Sequence, residues 1–262
     1  MTTKERPVGI DLAIGEPRWR PDDFLRQNRA VRLPDKIDIL LRPVQVQDYT
    51  PQLDQSSFEE FDEDGSPYSA ELMRTDGCGV CSVHMANVTL GGDNYRGIFP
   101  TVGFLAKSAL KFHEDDPKDV AGNRLRKGTP VYSKKDGWYH DGLLYTTWEY
   151  TGLNVFRQEG LESWEQVAQE CLEETRLRES ILAVVSVNNV HWRRPGETPS
   201  KEQHLVVITG FKIRAARVTA IRVTDPYVDP NPDAPRNKIN EWLPVNDNIR
   251  TAFRGRAMYF WK

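Results

Sequence analysis

The chain has 262 residues, of which 39% are hydrophobic and 28% charged, with a formal net charge of −3 and a pI near 6.0. That balance excludes a broad basic surface for nucleic acid, and the longest apolar runs, such as LAVVSV, are far too short to span a membrane. Three cysteines do not make a disulfide framework at this size, and MTTKERPVGIDLAIGEP lacks the apolar stretch of a signal peptide, so the expectation is a cytoplasmic protein with reduced thiols and an ample core.

Residues 1–36 are rich in Pro, Arg and Asp with weak periodicity and read as an extension packed on a main domain over 37–262. KIDILLRPVQVQ begins apolar and ends in alternation, the pattern of a strand. Residues 48–77, centred on FEEFDEDGSP, read as an acidic, solvated loop; their spacing of carboxylates and glycine does not match a calcium loop. A helix is predicted from Cys78, with Cys81, Met85 and Val88 on its core face and Gly91-Gly92 ending it. TVGFLAKSALKFH (101–113) predicts a second helix, 114–136 a charged loop, and HDGLLYTTWEYTGLNV (140–155) a third helix closed by Gly152 and followed by a strand.

SWEQVAQECLEETRL (163–177) is the clearest helix: Ser163 is its N-cap, Gln166 completes a capping box, and Val167, Cys171 and Leu172 form its apolar stripe. The period then changes. ILAVVSVNN (181–189), HLVVITGFKI (204–213), VTAIRVTDPY (218–227) and RAMYFWK (256–262) read as strands. Helices followed by an antiparallel sheet predict the α+β class.

Two of the cysteines fall in DGCGVCSVHM (76–85). As a redox pair, CGVC would need a βαβ unit around it, and an acidic loop precedes it instead. As metal ligands, Cys78, Cys81 and His84 would not converge from one helix, and no second ligand pair with zinc spacing exists in the sequence. As a nucleophile, Cys78 at a helix N-terminus gains thiolate character from the free N–H groups and dipole there, and Gly77 and Gly79 would let backbone and substrate approach it. Cys81, one turn in, reads as a small apolar core residue.

A thiol nucleophile needs a base. His84 shares the helix, His113 ends a predicted helix, and His140 and His191 read as loop residues beside Trp138 and Trp192 that could line a cleft. His204 opens a strand, and the next strand ends in Asp225-Pro226. If those strands pair antiparallel, the start of one lies beside the end of the other. The Asp225 carboxylate would then orient the imidazole and select its tautomer.

These segments, CGVCSVHM, HLVVITGF and VTDPY, resemble the motifs of papain-like cysteine peptidases of the bacteriocin-leader (double-glycine) peptidase-like group, with Val80 where that family usually has proline. RPVQVQ, GWYHDGLLYTTWEYTGL and the stretch from the 163–177 helix to ILAVVSV resemble further family segments in order, so the likeness covers roughly residues 37–230. The resemblance implies a papain-like fold, with Cys78 as nucleophile, His204 as base and acid, Asp225 as orienter and Gln47 as the oxyanion-hole side chain. It also implies hydrolysis of peptide or related amide bonds through an acyl-enzyme on a peptide or protein substrate, with no metal or organic cofactor and no nucleic-acid or membrane partner. Acyl transfer to an amine on the same triad, and a non-catalytic binding module, are the alternative expectations.

Overall fold

Aliphatic and β-branched residues crowd the last third of the chain, and there they build most of one eight-stranded sheet. The computed structural model describes residues 25–26, 31–52, 56–63, 69–91, 101–107, 132–133, 137–138, 140–151, 153–188, 203–227 and 239–262. Its main strands are β1 (Leu25–Arg26), β2 (Lys36–Leu40), β5 (Asn154–Glu159), β6 (Ile181–Asn188), β7 (Gln203–Arg214), β8 (Arg217–Thr224), β9 (Glu241–Pro244) and β10 (Phe253–Trp261), with a separate small hairpin β3 (Tyr132–Ser133) and β4 (Gly137–Trp138). The sheet runs β1-β5-β10-β6-β7-β8-β9, and β2 also pairs with β7. All of these pairings are antiparallel except β1 with β5. The helices are α1 (Glu60–Glu63), α2 (Ala70–Asp76), α3 (Cys78–Thr89), α4 (His140–Thr151), α5 (Trp164–Glu174) and α6 (Asp247–Ala252), and residues 102–107 are also helical. The class is α+β, as predicted.

β7 is the organising strand. At twelve residues it is long enough for two partners on one edge: β6 pairs with its first half and β2 with its second. Just past β2, Leu41 N–H donates to Thr209 O of β7 (3.0 Å) and Arg42 N–H to Ile181 O of β6 (3.4 Å). Gly210 lies opposite Leu40, and a Cβ there would come within 2.9 Å of Ile39 O, so the crossing requires glycine. All eight residues of β6 are buried, which explains its unbroken apolar character: a strand covered on both faces does not alternate.

α5 matches its sequence reading closely. The Gln166 side-chain oxygen accepts from the backbone N–H groups of Glu162 (2.5 Å) and Ser163 (3.3 Å), satisfying two donors at the helix start. Val167, Cys171 and Leu172 are buried. From the same helix the buried Glu170 accepts Gln158 Nε2 at 2.8 Å, and Gln158 Oε1 accepts Tyr259 O–H at 2.8 Å. This chain of partners lets a carboxylate sit in the core.

Several expectations are corrected. RPVQVQ is not strand: β2 stops at Leu40, and Val46–Asp48 is a single 3-10 turn, because Pro43 removes a ladder donor. Residues 48–77 are not one loop. Ser56–Glu59 and α1 form helical turns, and α2 is N-capped by Ser69, whose hydroxyl accepts Leu72 N–H at 3.2 Å. Phe58, Phe61, Ala70 and Met73 in this acidic stretch are buried, so its charges decorate an amphipathic segment. The described part of the 1–36 extension lies on the domain: β1 extends the sheet edge beside β5, Leu33 is buried, and Arg32 N–H donates to Gln169 Oε1 at 2.9 Å. Most of the expected 114–136 loop, residues 108–113 of the second predicted helix, and Gly92 and Gly152 lie outside the described residues. No helix among the described residues is long and apolar enough to cross a membrane.

Candidate active site

The β7–β8 hairpin places His204 and Asp225. Its register pairs Val207 with Thr224, so Asp225 falls beside Val206 and shares a sheet face with His204, one diagonal step away. His204 Nε2 and Asp225 Oδ1 are 2.6 Å apart, with both residues buried. Asp225 Oδ1 also accepts the N–H of Tyr227 at 2.9 Å. A carboxylate has no proton to give, so Nε2 carries the hydrogen, and Nδ1 of a neutral ring presents its lone pair. Two bonds hold the backbone of this corner from outside the hairpin: Tyr49 O–H to Asp225 O (2.8 Å) and Gln52 N–H to Pro226 O (2.7 Å).

The register is imposed rather than local. The two turn residues, Ala215 and Ala216, both have positive φ (49° and 54°). Such a turn favours Asn and Gly, and alanine there costs about 1 kcal/mol or more per residue. Burial of Val218, Ile221 and Val223 on β8, whose Thr219, Ala220 and Arg222 are not buried, overrides that cost, since a one-residue slip would turn the buried face outward.

The thiol side is assembled from distant segments. α2 ends and α3 begins on Gly77, and Cys81 N–H closes the first helical bond on Gly77 O at 3.0 Å. Cys78 is thus the first residue of a twelve-residue helix and is half-buried, while Cys81 and Cys171 are buried. Burial pushes the Cys81 thiol well above its ordinary range, and the Cys78 sulfur adds to the rise; burial likewise raises Cys171, with Glu170 and Glu174 contributing. Of the three, Cys78 at the helix mouth is the one not fully buried.

α3 is buried nearly all round, as a helix threaded through a core must be. Ser82 Oγ donates to Leu205 O at 2.9 Å. Cys78 and Ser82 are four residues apart and lie on one face of α3, so Cys78 stands one turn, about 5.4 Å along the axis, from a side chain that touches the residue next to His204. Met85 is buried, but Val88 is only half-buried. The helix closes at Leu90, with Gly91 at φ 67°. His84 faces a polar niche, its Nδ1 2.9 Å from Thr50 Oγ1.

The room expected over Gly77 and Gly79 is taken by the chain itself. A Cβ on Gly77 would collide with Met73 O and meet Phe58 at 2.9 Å, and one on Gly79 would meet Trp138 at 2.8 Å. Trp138 also donates its indole N–H to Asp76 O at 2.7 Å, and Tyr132 O–H donates to Asp76 Oδ2 at 2.5 Å. The small hairpin β3–β4 therefore clamps the start of α3.

Gln47 is exposed on the 3-10 turn. Five residues on, Gln52 is buried; its Nε2 donates to Thr75 O, three residues before Cys78, and its Oε1 has no partner among the described residues. Sequence reading missed Gln52, because nothing in YTPQLDQ distinguishes a buried amide from a loop residue. Asn240 holds the strap leading to it: Asn240 Oδ1 accepts Val44 N–H at 3.2 Å and Nδ2 donates to Val44 O at 2.7 Å, from a positive φ of 56°.

His140 opens α4 and is buried, with Nε2 3.0 Å from Ser186 Oγ. Burial first, then the positive charges of Arg157 and Arg256, lower its pKa to about 3. It stays neutral near pH 7 and is walled off from solvent, so it is a core residue. His113 and His191 lie outside the described residues.

The structure thus shows an imidazole oriented by Asp225 on β7, a half-buried thiol at the start of the helix that bonds to β7 through Ser82, and a buried amide bonded to Thr75 O just before that helix. The chain matches no protein-family model and no curated protein sequence.

Proposed function

We propose that this chain is a cysteine hydrolase of peptide or related amide bonds with a papain-like arrangement of its site. The observation that carries the reading is the 2.6 Å bond between His204 Nε2 and Asp225 Oδ1, which turns the other ring nitrogen into a base beside the helix that begins at Cys78. The Cys78 thiol gives its proton to His204 Nδ1, and the thiolate attacks the substrate carbonyl carbon. The negative charge that develops on oxygen is met by the backbone N–H at the start of α3 and by a side-chain amide. His204 then protonates the leaving amine, and water, deprotonated by the same nitrogen, releases the acid and regenerates the thiol.

The side-chain amide is assigned to Gln52 in place of Gln47. Nε2 carries two hydrogens, and one is given to Thr75 O, so the second is available to an oxyanion. Its burial removes competing water, which strengthens such a bond. Gln47, exposed on its turn, has neither advantage.

Thiol labelling tests the reading. Cys78 reacts with iodoacetamide with a midpoint well below about 8.5, the ordinary thiol value, while the Cys78→Ala variant takes up no label and cleaves no amide in a peptide library. Undiminished cleavage by the Ala variant would sink the mechanism, and a midpoint at the ordinary value with no cleavage by the wild type would leave a binding module.

A further inference from the structure

Cys81 has no part in the hydrolysis proposed above, yet it stands three residues from Cys78 on the same helix. α-Helical rise and radius set the two Cα atoms about 5 Å apart, inside the roughly 4.4–6.8 Å range of disulfides. Side chains at this spacing lie on one face, one above the other. Cys78 is reachable from solvent and Cys81 lies buried beneath it. From this pairing we propose that Cys78 and Cys81 form a reversible oxidation site, in which a hydroperoxide oxidises Cys78 and Cys81 resolves it as a disulfide within α3.

The proposal rests on the reading of Cys78 as a reactive thiolate. The thiolate attacks the peroxide O–O bond, giving Cys78 sulfenic acid and an alkoxide or hydroxide that takes a proton from water. The Cys81 thiol then attacks the sulfenic sulfur; an S–S bond forms, and the hydroxyl leaves with the Cys81 proton as water. The two thiols lose two electrons, and the peroxide is reduced to alcohol, or to water, plus water. The order of events follows from position. A solvent oxidant meets Cys78 at the helix mouth, whereas burial holds Cys81 protonated and out of its reach. Cys171 is buried on α5 and takes no part. The disulfide removes the nucleophile, and a dithiol restores it, so the pair guards the site against the irreversible sulfinic state.

Peptide masses after dilute hydrogen peroxide treatment of the full chain test this directly. The tryptic peptide 75–96 holds both thiols and not Cys171. In the wild type it becomes about 2 Da lighter, refuses iodoacetamide until dithiothreitol is added, and amide cleavage then returns almost fully. In Cys81→Ser the same peptide becomes about 32 Da heavier, and less than about one tenth of the activity returns. Wild-type protein that gains the heavier mass with no lighter species overturns the inference, whether or not the variant folds. A lighter peptide from a chain that in its reduced state cleaves no amide supports the oxidation site and overturns the hydrolase reading instead.

Discussion

The two walls of the candidate site are built in different ways. His204 and Asp225 come from one hairpin, 21 residues apart, and their 2.6 Å bond follows from strand register. The Cys78 wall has no such local rule. Its helix is positioned by Phe58 and Met73 against Gly77, Trp138 against Gly79, Ser82 on Leu205, and Thr50 on His84, contacts that reach as far as 123 residues along the chain. A pair placed by strand register depends mainly on the burial of its own two strands, whereas a thiol placed by many long-range contacts depends on all of them.

Four substitutions sharpen that contrast. The largest effect is expected at the hairpin. Asp225→Asn keeps the size of the side chain but offers an amide where a carboxylate fixed the tautomer, and cleavage falls by about 10⁴-fold with little change in the folded fraction. Loss under tenfold would mean that the carboxylate only packs. On the other wall, Gln52→Ala lowers kcat by about 10²–10³-fold, and Gln47→Ala leaves it within about twofold, as expected of an exposed residue. The reverse ranking would return the oxyanion role to Gln47. The smallest effect tests whether register is imposed on the turn. Ala215 is exposed at φ 49°, so Ala215→Gly relieves left-handed strain and raises stability by up to about 1 kcal/mol, read as a higher urea midpoint. A lower midpoint would show that the turn itself helps to set the register.

Much of this was legible from residues alone. The strands β6, β7, β8 and β10, the helix begun at Ser163, and the meeting of His204 with Asp225 follow from period, caps and pairing, whereas β9 was missed and the helix ends at Glu174, short of the expected 177. The acidic stretch misled because its composition masks a buried face: Phe58, Phe61 and Met73 are core residues among carboxylates. RPVQVQ misled in the opposite sense, since its alternation imitates a strand, yet Pro43 and a 3-10 turn end the pairing before it.

What the amino-acid order determined by itself is local: where hydrogen-bonded periods begin and end, and which residues a hairpin must bring side by side. Tertiary structure alone decided that Gln52 and not Gln47 is buried beside the junction before Cys78, and that Trp138 and Phe58 fill the space over the two glycines. The reason is that burial and side-chain contact between segments far apart in the chain depend on how finished elements pack, and no repeat of two or 3.6 residues encodes that.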